Sequence, residues 1–445
     1  MNISIIIRLL SAIFFIFLIV GCNGDIQVTD PTIQKEYTYE TTEDPNAPKI
    51  PQIWIDWIRK NGNPINNLSS ENFYDLQFLK PILANKKIIQ LGESSHTTSE
   101  YSSAKVRLIK FLHKEMGFNV IAIESPIFEC FNAYVTFNKS SDIMKESIFS
   151  VWWTKEVLEL FNYISETRNT SSPLILAGFD IHRTFSEFKA DFLKSFFSRI
   201  DVNYGRQIYE LENKALYGQI HSGNKDSVIN AYENLLSRIE INWNLLEKEF
   251  ANNLTALMIA KRTIISEIEN LKMTFSGSAE MQSTIRDKAM AENLIYLSNE
   301  VYKGQKIIIW AHNGHIMHNY ASLKTAWGMP KIKNMGYYIS QTFQNMVYTI
   351  GFYMYRGSYF LDYSGSRIVS VKPSGSDNIE AIFYHARKKY LFLNIENQIN
   401  SESNSWLFKE MKAKHHGLSD EVFIPEKQFS GIFYIDEIHP PNYIK

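Results

Sequence analysis

Four apolar runs in this chain end at residues that carry a charge or an imidazole. Residues 88–91 lead through Gly92 to Glu93 and His96, 120–123 to Glu124, 174–177 to Asp180 and His182, and Ile307–Trp310 to His312 and His315. The last two runs are continuous rather than alternating, the pattern of strands buried on both faces of a mainly parallel sheet. Between the first two, Val106, Ile109, Leu112 and Met116 recur at helical spacing and Gly117 follows. This predicts a βαβ unit with its helix over 98–116. A further strand is predicted over 347–352, and a tryptophan-bearing helix around Trp54 and Trp57 opens the folded part near Ile50.

From about 186 to 301 the pattern turns helical, with long stretches over 231–250 and 254–273. The predicted fold is therefore α/β: a mainly parallel central sheet flanked by helices, with a helical insertion forming a wall or lid of a cleft. Helices that only thicken the scaffold are the blander alternative. In open sheets of this class ligands bind beyond the carboxyl ends of the strands, where these Glu, Asp and His residues fall.

Ahead of the domain, assigned to 50–445, the sequence carries an address. Arg8 precedes an apolar run over 9–20, short for a bilayer span but suited to a signal-peptide core. It ends in Ile19-Val20-Gly21-Cys22, which resembles a bacterial lipobox. Residues 1–22 are accordingly read as a lipoprotein signal peptide with Cys22 lipidated, and the polar stretch 23–49 as a flexible tether. The expectation is an exported protein held to a bacterial membrane, the outer membrane or cell surface being favoured, through that anchor. An ordinary signal peptide or an N-terminal anchor helix is the alternative. Cys130 is the second of two cysteines, so no internal disulfide remains once Cys22 carries lipid, and Cys130 reads as a small core residue.

Composition narrows the chemistry. The 445 residues are 45% hydrophobic and 21% charged, with a formal net charge of −1. Such a chain has no basic field to bind nucleic acid, so the expected partner is a small molecule. There is no Gly-x-Ser-x-Gly elbow, Gly-rich phosphate loop, His-Glu-x-x-His helix or Cys-x-x-Cys pair. What remains is Glu93, His96, Glu124, Arg286, His312 and His315, a set suited to acid–base work on water. A histidine near neutrality takes a proton from water, and a carboxylate on its other nitrogen fixes the tautomer and steadies the cation. Each residue also has a plainer reading: Glu93 as a favourable charge at a helix start, Arg286-Asp287 as an exposed charge pair, His312-Asn313-Gly314-His315 as a polar turn. His113, His221, His318, His385, His415 and His416 are assigned to surface or structure.

Taken together, these blocks resemble the erythromycin esterase family. Gly92-Glu93-Ser94-Ser95-His96 resembles its Gly-Glu-x-Thr/Ser-His motif, and Val120-Ile121-Ala122-Ile123-Glu124 its second-strand glutamate. Trp153-Thr154 with Glu156-Val157, Gly178-Phe179-Asp180, Arg286-Asp287 with Met290 and Asn293, and Trp310-Ala311-His312-Asn313-Gly314-His315 follow in the same order. Beyond His315 the likeness thins to Met335-Gly336 and the strand near Gly351. The resemblance implies an α/β core and a helical part with a cleft between them. It also implies hydrolysis of a carboxylic ester, a macrolide lactone in the best known members, by a histidine-activated water without a required metal or other cofactor. Carried over, His96 is the general base, Glu93, Glu124, Arg286, His312 and His315 line the site, and Asp180 and Asn313 contact substrate. Two features depart from the resistance esterases: the export signal, and an insertion that does not align. A metal-dependent hydrolase using a divalent ion, and a surface binding lipoprotein without catalysis, stand as the alternatives.

Overall fold

The computed structural model describes residues 49–444 apart from 185, 327 and 362–364. The expected signal peptide, Cys22 and nearly all of the expected tether lie outside the described residues. In chain order the strands are β1 Asn63–Pro64, β2 Ile88–Leu91, β3 Val120–Pro126, β4 Ile175–Asp180, β5 Ile307–Trp310 and β6 Lys324–Thr325. There follow β7 Val347–Phe360, β8 Ile368–Val371, β9 Tyr390–Asn394, β10 Met411–His415, β11 Ser419–Phe423 and β12 Gly431–Ile438.

The central sheet runs β1-β9-β12-β7-β2-β5-β3-β4, with β8 added to β7. Its six strands from β12 to β4 are mutually parallel, and β9, β1 and β8 pair antiparallel. The mainly parallel sheet is thus as predicted, and its four charged strand ends lie side by side. β5 arrives last of the four and inserts between β2 and β3, so His312 emerges between the ends that carry Glu93 and Glu124. Such a reversal of strand order opens the crevice in which α/β proteins bind ligands.

Alternation along each short strand builds two cores. Ile89, Leu91, Ile121, Ile123, Ile308 and Trp310 face the helices Ser99–Met116 and Lys155–Thr167. Ile88, Val120, Ala122, Ile307 and Ile309 face the opposite way, against the helical insertion. That insertion begins with helix Phe188–Ile200 and ends with helices Leu254–Thr274 and Ala279–Tyr296. It packs on the sheet face and forms one wall of the strand-end crevice. Asn293 fixes it there by donating from Nδ2 to the carbonyl of Phe179 in β4, at 2.8 Å.

Helix boundaries follow local chemistry. The first helix is Gln52–Asn61, and the helix predicted over 98–116 is Ser99–Met116, ending at Gly117. The single helix expected over 231–250 is instead two, Lys225–Ile241 and Trp243–Glu249. Asn242 breaks it: its side-chain amide bonds the Arg238 carbonyl at 2.9 Å, competing with the helix ladder. The strand predicted over 347–352 runs on to Phe360, and β9, β12 and the small sheet β10-β11-β6 were not foreseen. Cys130 is buried and free, in the core as expected.

One glycine ties fold to site. The Gly92 N–H donates to the Ile350 carbonyl at 2.9 Å, and a Cβ here would lie 2.0 Å from Asn313 Oδ1 and 2.8 Å from Ile316 Cδ1. Gly92→Ala is therefore expected to lower unfolding free energy by about 1–3 kcal/mol in urea titrations, as overpacked interiors do.

Candidate active site

The loop after β2 places Glu93 in a fully buried position, and three donors meet its carboxylate. Oε1 accepts the His96 Nδ1–H at 2.6 Å and the Trp152 Nε1–H at 3.2 Å. Oε2 accepts from the Lys105 ammonium, which also sits 4.2 Å from the centroid of the Trp310 ring. Burial lowers the Lys105 pKa to about 8 although Glu93 pulls the other way, so the lysine is predominantly charged at neutral pH. An ionised carboxylate without water needs such partners, and here a cation and two N–H groups supply them. The His96 ring stands edge-on to Trp152, with centroids 5.2 Å apart and planes at 87°. Its side chain remains 14% exposed.

A second charged group lies across the crevice. Arg286, buried on the helical wall, bonds Asp180 in bidentate fashion, Nε to Oδ1 at 3.1 Å and Nη2 to Oδ2 at 2.6 Å. The same Nη2 reaches Glu124 Oε1 at 2.7 Å. Glu124 Oε2 accepts the backbone N–H of His312 at 2.9 Å, which fixes the start of the His312–His315 turn. His315 closes the group, with Nε2 3.3 Å from Glu124 Oε1 and 3.1 Å from Arg286 Nη1, and Nδ1 2.8 Å from Asp287 Oδ1. Burial disfavours a charge on His315, but Asp287 and Glu124 outweigh it and lift the pKa to about 10. Burial likewise opposes ionisation of Asp180 and Glu124, yet Arg286 holds Asp180 at about 2, and His315 with Arg286 holds Glu124 well below its usual range. Three carboxylates, Asp180, Glu124 and Asp287, thus share two cations, so each buried charge has an opposite partner.

His312 joins the two groups. Its ring is 5.1 Å from that of His96, centroid to centroid. Nδ1 accepts the Gly314 N–H at 3.1 Å, so the neutral ring carries its proton on Nε2, a buried atom with no hydrogen-bond partner among the described residues. Burial, then the surrounding His416, His96, His415 and His315, keep the His312 pKa well below 6.5.

Glu93, His96, Glu124, Arg286, His312 and His315 therefore form one linked cluster at the carboxyl edge of the sheet. Asp180 and Asn313, expected to contact substrate, are both buried and engaged within the protein. Asp180 is buried under Arg286 and also accepts the N–H groups of Ile181 and His182. Asn313 uses its side chain on the backbone of Phe352, at 3.0 and 3.3 Å, and so locks β5 to β7. The Arg286-Asp287 pair is buried, not an exposed helix pair. Sequence reasoning missed Lys105, Trp152 and His416. Lys105 left a legible signal, since it stands four residues before Ile109 and seven before Leu112, on the buried stripe of its helix. Trp152 was overlooked beside Trp153. His416, assigned above to surface or structure, stacks on His312 with centroids 4.6 Å apart. Among the described residues no three His, Cys, Asp or Glu side chains are grouped to hold a metal ion. In the crevice, the carboxylate oxygens of Glu93, Glu124 and Asp180 are all bonded to N–H donors.

A mainly parallel sheet with a Glu–His pair and a buried Arg–carboxylate group at its switch point defines a hydrolase-like α/β architecture. The chain belongs to the erythromycin esterase family, which matches residues 113–438. It is 29% identical over 417 residues to the Bacillus subtilis protein YbfO, named as a hydrolase, covering 88% of this chain and 93% of that one. It is 22% identical over 286 residues to erythromycin esterase type II of Escherichia coli, covering 59% and 68%. Among solved structures, a Bacillus cereus protein superposes with a TM-score of 0.75 at 18% identity, over 88% of this chain and 99% of that one. A histidine-to-asparagine mutant of an erythromycin esterase, in its open conformation, superposes with a TM-score of 0.64 at 19% identity, over 84% and 96%.

Arg286→Met leaves Asp180 and Glu124 buried without their shared cation, and is expected to lower unfolding free energy by about 3–5 kcal/mol in urea titrations. The pH dependence has a definite sign. Asp180 has a depressed pKa in the folded state, so its stabilising contribution is present above its ordinary 3.8 and is lost as pH falls toward about 2. Asp180→Asn should flatten the fall in unfolding free energy across that window.

Proposed function

We propose that this chain hydrolyses a carboxylic ester, using water activated by His96 and requiring no metal. The observation that carries the reading is the buried Glu93 carboxylate 2.6 Å from His96 Nδ1. This bond keeps a proton on Nδ1 and leaves the Nε2 lone pair to take one from water as the water attacks the ester carbonyl. Glu93 then stabilises the imidazolium, which passes its proton to the departing alkoxide. Lys105 occupies the other Glu93 oxygen, so the carboxylate is placed to orient the His96 ring and stabilise its cation. The unpartnered Nε2–H of His312, one ring away, is the donor best placed for the tetrahedral oxyanion.

Family membership supports ester hydrolysis, and relatives named erythromycin esterase make a macrolide lactone one substrate to test. The apolar run and lipobox-like residues 19–22 extend the proposal to an exported enzyme, anchored by Cys22.

The test is hydrolysis of aryl esters and a macrolide lactone by the full chain in detergent, with and without chelator, beside His96→Ala. Chelator is expected to leave the rate unchanged, and His96→Ala to lower kcat/KM by about 10²–10⁴-fold, the usual worth of a general base. A rate abolished by chelator and restored by a divalent ion would overturn the mechanism in favour of a metallohydrolase.

A further inference from the structure

A hairpin outside every motif reaches the same crevice. β10 and β11 meet in the turn His415-His416-Gly417-Leu418, closed by the Leu418 N–H on the His415 carbonyl at 3.1 Å. Both central residues have positive φ, 50° at His416 and 68° at Gly417, the backbone of a primed hairpin turn. Glycine adopts it freely. A histidine occupies a region that side chains with a Cβ seldom enter, and strained residues of this kind cluster at functional sites.

The ring contacts give the histidine a reason to be there. His416 lies flat on His312, with centroids 4.6 Å apart and planes at 17°. It is edge-on to His415, which is 6.5 Å from His312 and bonded through Nδ1 to Glu421 Oε2 at 3.1 Å. The tip is held from behind. Glu421 Oε1 accepts the Tyr353 hydroxyl at 2.8 Å, and the Lys414 N–H donates to buried Glu380 at 2.6 Å. Gly417 sits so close to Val371 that a Cβ would come within 2.8 Å of Val371 Cγ2.

We propose that His416 is a positioning residue for His312: its ring, pressed flat by the hairpin tip, keeps His312 neutral and oriented with its Nε2 proton available to an oxyanion. The inference rests on the esterase reading and adds to it a device from a different part of the chain. The groups around His312 are His96 from the loop after β2, Glu124 from β3, Arg286 from the helical wall, His315 from its own turn, and His415 and His416 from the hairpin. Glu124 is already shared by Arg286 and His315, so a proton added to His312 would find other imidazoles and little unshared negative charge. The stacked ring also takes water away from the His312 face, which penalises the cation further. A phenyl ring would do this equally well, whereas a small amide would not.

Two variants of the full chain separate a ring role from a turn role. Asparagine suits the left-handed backbone at least as well as histidine but has no ring, while phenylalanine keeps a ring. The first readout is a nitrogen NMR titration with labelled histidine, which needs no substrate. In the wild type His312 should stay a single neutral tautomer through the ordinary histidine range, in His416→Asn its pKa should rise by about one unit or more, and in His416→Phe it should not. The second is ester hydrolysis. His416→Asn should lower kcat about tenfold or more with KM little changed and move the acid limb of kcat to higher pH, while His416→Phe recovers most of the loss. An unchanged His312 titration in His416→Asn overturns the proposal, and so does a His416→Phe variant impaired as deeply as His416→Asn. A wild-type chain inert toward every ester would sink the esterase reading alone, since the titration still decides the positioning.

Discussion

Much of this structure depends on one buried guanidinium. Arg286 reaches from the helical wall to Asp180 at the end of β4 and to Glu124 in β3, so two strands and a helix far apart in sequence share one cation. Neither partner is tolerable alone: a buried charge without its counter-charge is far costlier than the pair. The arrangement therefore fixes the wall on the sheet and holds Glu124 ionised, so that its second oxygen accepts the His312 N–H and starts the turn that carries both strand-end histidines.

The same logic repeats around Glu93. A carboxylate with no exposed surface is bonded by Lys105 and by N–H groups of Trp152 and His96, and among these His96 keeps some exposed surface. The two groups differ in what they leave unfinished. Around Arg286 every charged side chain has a bonded partner, as suits a scaffold. Around Glu93 the chain of bonds ends at the partly exposed His96 imidazole, and beside it His312 ends at an N–H without a partner among the described residues. A buried donor without a partner beside a base is where a reacting group can be met.

The histidines also explain why the sheet alone does not complete the site. His96 and His312 leave the sheet ends, while His415 and His416 come from a hairpin of the small three-stranded sheet. Burial, and then the neighbouring imidazoles, hold His312 and His416 well below the ordinary histidine range.

Continuous apolar runs ending in Glu, Asp and His determined the buried parallel strands and the placing of reactive groups at their ends, because a strand buried on both faces leaves no other place for polarity. The helical period beyond 186 likewise determined the insertion, although Asn242 broke one of its helices by a side-chain bond that periodicity cannot register. Which groups pair was decided by tertiary structure alone. Asp180 and Asn313 looked like substrate contacts, yet strand order put Asp180 under Arg286 and Asn313 against Phe352. Lys105 and Trp152 became partners of Glu93 only when their elements packed on the loop after β2, and His416 became a site residue only through a turn more than a hundred residues from His312. Local spacing fixes which residues share a face, but the partner of a buried charge is chosen by strand order and layer packing, and neither is a local property of the chain.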